Sequence, residues 1–189
     1  MEYVAQLAEH RTVTATVAGS NPAMLPTNCW KGIGYEGDKM FTVYLVGPIT
    51  GMTFEEVNEN IQWRKCVLEG MGYTVIHPFM GKGYLRTEPG KLKPSGFTQP
   101  ASTDHAIFHR DRWMVEQADI LLADLTPGKD KVSIGSMFEL AWASLLRKNV
   151  VVVLPEENVH VHAFVKEAAT VLFPTLDDAF EYLQKLASD

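Results

Sequence analysis

A chain of 189 residues with 46% hydrophobic and 21% charged side chains reads as one soluble globular domain, long enough to bury a core. Its net charge of −6 argues against a nucleic-acid polymer or an anionic membrane as main partner, while leaving room for a small phosphorylated ligand held by a local nest of donors. Two cysteines, Cys29 and Cys66, form neither a disulfide framework nor a zinc spacing. With no apolar run able to span a bilayer and no signal-peptide core, the expected setting is reducing and cytoplasmic.

Residues 1–39 show weak periodicity and scattered Gly and Pro, so a poorly structured extension is expected there, followed by a single domain over 40–189. The run Val4-Ala-Gln-Leu-Ala-Glu-His10 back-translates to the D-arm consensus of a transfer RNA gene. Gly19-Ser-Asn-Pro22 back-translates to the T-arm consensus in the same frame. The expectation is a segment read from such a gene, with a natural start at Met24 or Met40; the alternative is an ordinary leader. Genomic DNA without a cloverleaf upstream of Met24 would exclude the first reading.

From Phe41 strands and helices alternate. Phe41–Val46 is a short apolar run closed by Gly47-Pro48, hence a buried strand. A helix follows over Thr53–Gly72, with Phe54, Val57, Ile61 and Leu68 on one face and a Thr53/Glu56 capping box. Trp63, Cys66 and Val67 gather on its other side, suggesting contact with a second surface, such as another subunit. Tyr73–His77 is the second strand. The polar, Gly- and Pro-rich stretch Met80–Asp104 is too long for a simple connection, a length typical of functional or mobile loops. Then come a helix over His105–Ala118, a strand over Asp119–Leu125, a helix over Ser133–Arg147, strands over Val150–Leu154 and Thr170–Phe173, and a closing helix over Leu176–Leu186 capped near Thr175. This alternation implies an α/β, flavodoxin- or Rossmann-like three-layer fold with a five-stranded parallel sheet. Ligands in such folds bind beyond the carboxyl ends of the strands.

Glu139 is the only charged residue in Ser133–Leu146, and a lone carboxylate on an otherwise apolar helix is costly unless paired or used. The nearby helix start favours its ionised form, and Ser133, Gly135 and Ser136 make that terminus a seat for an anion or a sugar hydroxyl. Alternatively, Glu139 pairs with Arg110 or Arg112. Asp111 interrupts the apolar stripe of Phe108, Val115 and Ala118, as a proton shuttle or as a salt-bridge partner of a flanking arginine. Two carboxylates opening on one sheet edge are the minimal set for glycosidic chemistry. Tyr44 lies near the end of the first strand, where its hydroxyl can reach such a site or merely pack. The Gly47–Gly51 turn lacks dinucleotide or P-loop spacing. No histidine spacing suggests a metal; His160 and His162 read as a solvent-facing pair on a strand, and Lys82 and Arg86 as part of a solvated loop. Trp63, Trp113 and Trp142 read as core or interface.

Three segments, Tyr44-Leu-Val-Gly-Pro-Ile-Thr-Gly51, Asp111-Arg-Trp-Met-Val-Glu-Gln-Ala-Asp119 and Ser133-Ile-Gly-Ser-Met-Phe-Glu139, resemble the motifs of nucleoside 2-deoxyribosyltransferases. The similarity runs through Asn158-Val-His-Val-His162 and Pro174-Thr-Leu-Asp-Asp-Ala179, covering about Phe41 to Leu186, and is closest to the phage and bacterial branch. The resemblance implies that Glu139 is the nucleophile attacking C1′, Asp111 the acid at the base, and Tyr44 the residue orienting the nucleophile. It places Gly47, Ile49, Gly51 and Gly135 around the sugar and its 5′ group, and Pro48, Ser133 and Ser136 are candidate substrate-binding residues beside them. It also implies a flavodoxin-like catalytic domain, no cofactor or metal, and homo-oligomers with shared active sites.

Transferases acting on free nucleosides carry Asp where this chain has Ser133, whereas related glycosidases of nucleoside 5′-monophosphates carry Ser, which can donate to phosphate. Those glycosidases also carry an arginine where this chain has Thr50, so the two positions pull in opposite directions. The expected reaction is a retaining double displacement on a nucleoside or nucleotide. Glu139 takes the sugar and a free nucleobase, or water, removes it. The competing reading from another class is a nucleotide-binding sensor without catalysis, which gives no reason to bury Glu139.

Overall fold

A computed structural model describes residues 41–87, 90–97, 99–127 and 130–188. The expectations for residues 1–39, including the transfer RNA reading and a start at Met24 or Met40, lie outside the described residues.

Five strands form one parallel sheet: β1 (Thr42–Val46), β2 (Thr74–Ile76), β3 (Ile120–Asp124), β4 (Asn149–Val153) and β5 (Val171–Phe173). Their order is β2-β1-β3-β4-β5, the doubly wound order in which direction reverses between β1 and β3. The helices are α1 (Phe54–Gly70), α2 (Asp104–Gln117), α3 (Ile134–Leu145), α4 (Ala163–Ala168) and α5 (Leu176–Ser188). Alternation along β1 sends Val43 and Leu45 into a core with α1 and α5, and Tyr44 and Val46 into a second core with α2, α3 and α4. The expected three-layer α/β fold is present.

Local chemistry explains the boundaries. The Thr53/Glu56 capping box forms as expected, and Thr175 Oγ1 accepts the Asp178 amide at 3.2 Å. Three readings are refined. The six-residue α4 adds a helix to those expected, because it is too short to show a helical period. Trp63, expected in core or interface, packs edge-to-face on Phe180 of α5, 5.5 Å between centroids, so this side of α1 meets the chain's own closing helix. The segment after β2 contains two 3₁₀ turns, Gly83–Thr87 and Pro100–Ser102, and is anchored by buried Leu85 and Leu92. It is pinned to the first βα turn by Gly51 N–H donating to Leu92 O (3.0 Å) and Leu92 N–H to Met52 O (2.7 Å).

The ends of β1 and β3 meet tightly. A Cβ on Gly47 would stand 2.8 Å from the Asp124 carbonyl oxygen, so only glycine allows this approach. Beneath the turn Arg64, on the buried face of α1, pairs with Asp124 at 3.5 Å. Asp124 also accepts the amide and hydroxyl of Thr126 (3.0 and 2.6 Å). The pair braces the switch point from below. Among the described residues no helix is long and apolar enough to cross a membrane.

Candidate active site

Tyr44 projects from β1 toward α2 and α3 and is fully buried. Its hydroxyl donates to Glu139 Oε1 at 2.6 Å, so the partner of Glu139 is a phenol from the first strand rather than Arg110 or Arg112. Arg112 instead pairs with Glu116 at 3.0 Å. Glu139 is 7% exposed, and burial drives its carboxyl up to about 8, with Asp111 adding to the rise and the Tyr44 hydrogen bond and Lys82 opposing it. The expected ionising influence of the helix start is outweighed. Glu139 stands in the second turn of α3, where the terminal field has decayed. Burial, and next the Glu139 charge, holds the Tyr44 phenol well above its usual value, so it remains a proton donor.

Asp111 is carried on α2, with Arg110 Nε and Nη2 both donating to its Oδ1 at 3.3 and 3.1 Å. The flanking-arginine pairing therefore forms. Burial nevertheless raises the Asp111 carboxyl above the usual range, against the lowering by Lys82 and Arg110. Lys82 corrects the solvated-loop reading: it is 6% exposed, and burial brings its ammonium down to about 8, with Asp111 the strongest opposing charge and Glu139 a weaker one. Flanked by Gly81 and Gly83 in a segment without periodicity, Lys82 gave no sequence signal of burial.

These groups adjoin a cleft of about 260 Å³ lined by Pro94, Asp104, Ile107, Phe108, Asp111, Ile134, Gly135, Phe138, Glu139 and Trp142. Phe108, Phe138 and Trp142 contact one another, with centroids 5.1, 5.7 and 6.1 Å apart. Phe108, assigned from sequence to the apolar stripe of α2, is half-exposed at this mouth, and Trp113 is exposed elsewhere. Of the residues expected at the site, Glu139, Asp111 and Gly135 line the cleft, and Tyr44 sits behind Glu139. Ser133 caps α3, its hydroxyl 2.9 Å from that of buried Ser136. Gly47, Pro48 and Ile49 line a separate small depression with Arg64 and Pro78. Gly51 adopts φ +89° in the turn that docks the long segment. The solvent-facing reading fails for His160, which is fully buried and accepts the Ser133 amide; His162 is exposed as expected, but caps α4 instead of lying on a strand.

The arrangement joins a deeply placed carboxylate, a phenol bound to it, and a second carboxyl group inclined to keep a proton, beside an aromatic mouth. Such a set can attack an electrophilic carbon and protonate a leaving group.

Residues 43–177 match the family model of nucleoside 2-deoxyribosyltransferases. Among solved structures, the 2-deoxyribosyltransferase of the psychrotolerant bacterium Bacillus psychrosaccharolyticus superposes with a TM-score of 0.53 at 20% identity, covering 75% of this chain and 91% of that one. The CMP N-glycosidase of Clostridium botulinum gives 0.46 at 20% identity, covering 78% and 99%. The Leishmania mexicana 2-desoxiribosyltransferase gives 0.48 at 16%, covering 77% and 97%. No curated protein matches in sequence. Spanning both carboxylates, the tyrosine and all five strands, the family match shows that this chain belongs to the nucleoside 2-deoxyribosyltransferase family, enzymes that act on the N-glycosidic bonds of nucleosides or nucleotides.

Proposed function

We propose that the chain transfers the sugar of a free deoxynucleoside from one nucleobase to another through a covalent bond to Glu139. The observation that carries this reading is the buried Tyr44–Glu139 contact at 2.6 Å, opening on a cleft that Asp111 also lines. A Glu139 carboxylate oxygen forms a bond to C1′ as the C1′–N bond breaks and its electron pair leaves with the base. Asp111, whose raised carboxyl favours retaining a proton, delivers that proton to the departing nitrogen. A nitrogen of the incoming base then attacks C1′, the Glu139–sugar bond breaks, and the surplus proton returns to Asp111.

Among the described residues the cleft is lined by acidic Asp104, Asp111 and Glu139 and by no arginine or lysine, which favours an uncharged 5′ end over a phosphate. The Phe108, Phe138 and Trp142 rings offer a stacking surface that would retain a second base beside the glycosyl-enzyme, favouring transfer over hydrolysis. One feature supports the alternative 5′-monophosphate N-glycosidase: α3 is capped by the neutral Ser133 hydroxyl, which can donate to phosphate. Exposed Ile134 and Phe164, at the starts of α3 and α4, support assembly into a homo-oligomer around this end of the molecule.

Incubation with a deoxynucleoside or its 5′-monophosphate, with and without a second base, separates the readings. Base exchange on the nucleoside is expected; release of free base and sugar phosphate would favour the glycosidase, and binding without turnover a sensor. Glu139→Ala is expected to lower cleavage at least about a thousandfold with the fold intact; wild-type activity in that variant would end the proposal.

A further inference from the structure

The loop after β4 contains a hydrogen-bonded bridge that the chemistry above does not use. His160 Nε2 accepts the backbone amide of Ser133 at 2.9 Å. A ring nitrogen that accepts carries no proton, so the imidazole proton lies on Nδ1, which faces Asn158 Oδ1 at 2.7 Å. The same Asn158 oxygen accepts the His160 amide at 2.9 Å, and Asn158 Nδ2 donates to the Leu125 carbonyl at 2.9 Å. The orientation of both side chains is thus set from two sides. The result is a continuous bridge from the end of β3, through Asn158 and the fully buried His160, to the N-cap of α3.

The side-chain cap of the helix is itself long. Ser133 Oγ, which should cap the first turn, stands 3.5 Å from the Ser136 amide and closer to the Ser136 hydroxyl, at 2.9 Å. The Ser133 backbone amide is held by the bridge, at 2.9 Å.

We propose that Asn158 and His160 are positioning residues that hold the amino-terminal end of α3 against the end of β3, and thereby set Glu139 against the Tyr44 hydroxyl. The proposal rests on reading Glu139 as the nucleophile. Ser133 and Glu139 belong to one stiff helix, so a slip at the cap carries the carboxylate with it. A 2.6 Å hydrogen bond tolerates only tenths of an ångström, and a misplacement of about 1 Å can cost about a hundredfold in rate.

The test uses His160→Leu, which keeps bulk but offers no acceptor, His160→Gln, whose amide oxygen can reach the place of Nε2, and His160→Asn, which is too short to do so. Rates are expressed per folded molecule. His160→Leu and His160→Asn should lose about tenfold to a hundredfold in kcat, and His160→Gln should recover most of the loss. A shared loss of packing would not single out glutamine. Long-range ¹H–¹⁵N spectra of the wild type should show a protonated Nδ1 and a bare Nε2. If His160→Leu does not fold, the Gln and Asn pair and the ring spectra still decide. Wild-type kcat in the Asn or Leu variant, a Gln variant no better than Asn, or a proton on Nε2 overturns the proposal. If the wild-type chain cleaves no nucleoside, the catalytic reading alone falls. The Tyr44 hydroxyl proton resonance then reports the contact, and its failure to move in His160→Asn overturns the bridge's role.

Discussion

Glu139 carries the tension of the site, because a nucleophile must be ionised and burial holds its carboxyl up at about 8. Cleavage should therefore rise with pH through neutrality toward that value as the proton is lost. The Tyr44 hydrogen bond lowers the Glu139 value, so Tyr44→Phe should move the midpoint of the pH–rate profile to higher pH and slow the reaction at pH 7. An unmoved midpoint would remove Tyr44 from this role. Stability follows the same proton. Between its ordinary 4.5 and about 8 the folded chain keeps a proton that the unfolded chain has released, so this group's contribution falls as pH rises through that window. Glu139→Gln should consequently melt higher than wild type by at least about 2 °C near pH 8, with the gap shrinking toward about pH 5. Melting curves at the two pH values check both sign and trend.

At the scale of elements, the reversal between β1 and β3 puts the end of one strand against the other, and Arg64, Asp124 and Gly47 make that contact possible. Asp124→Ala strands a buried guanidinium and should cost about 3–5 kcal/mol. Gly47→Ala forces a methyl group onto the Asp124 carbonyl and should cost about 1–3 kcal/mol. Urea unfolding measures both, and a loss under 1 kcal/mol in the Asp124 variant would show the pair to be dispensable. Much of this frame was legible in the sequence. Strands buried on both faces read as continuous apolar runs, and caps are local chemistry. Glu139 and Asp111 stood out because each breaks the apolar face of a helix. Arg64 breaks one too, at helical spacing with Ile61 and Leu68. Lys82, Asn158 and His160 lie outside periodic elements, where only tertiary packing decides what is buried, so their enclosure left no trace in the pattern.

At the scale of the whole molecule, helices cover both faces of a parallel sheet, and the groups with chemistry converge at one end of it. Tyr44 comes from β1, Asp111 from α2, Glu139 from α3, and Lys82 from the segment after β2. The exposed Ile134 and Phe164, at the starts of α3 and α4, lie at this end. Phe164→Glu should therefore lower the mass seen by light scattering to that of a smaller assembly; an unchanged mass would place any interface elsewhere. The central claim concerns a single bond, between a Glu139 oxygen and the anomeric carbon of the sugar. Its most direct measurement is peptide mass spectrometry of protein quenched in acid during turnover of a deoxynucleoside in the absence of a second base. The expected result is a deoxyribosyl unit on the peptide containing Glu139, absent in Glu139→Gln. Steady cleavage with no sugar on the protein, or a sugar carried by another residue, would contradict it.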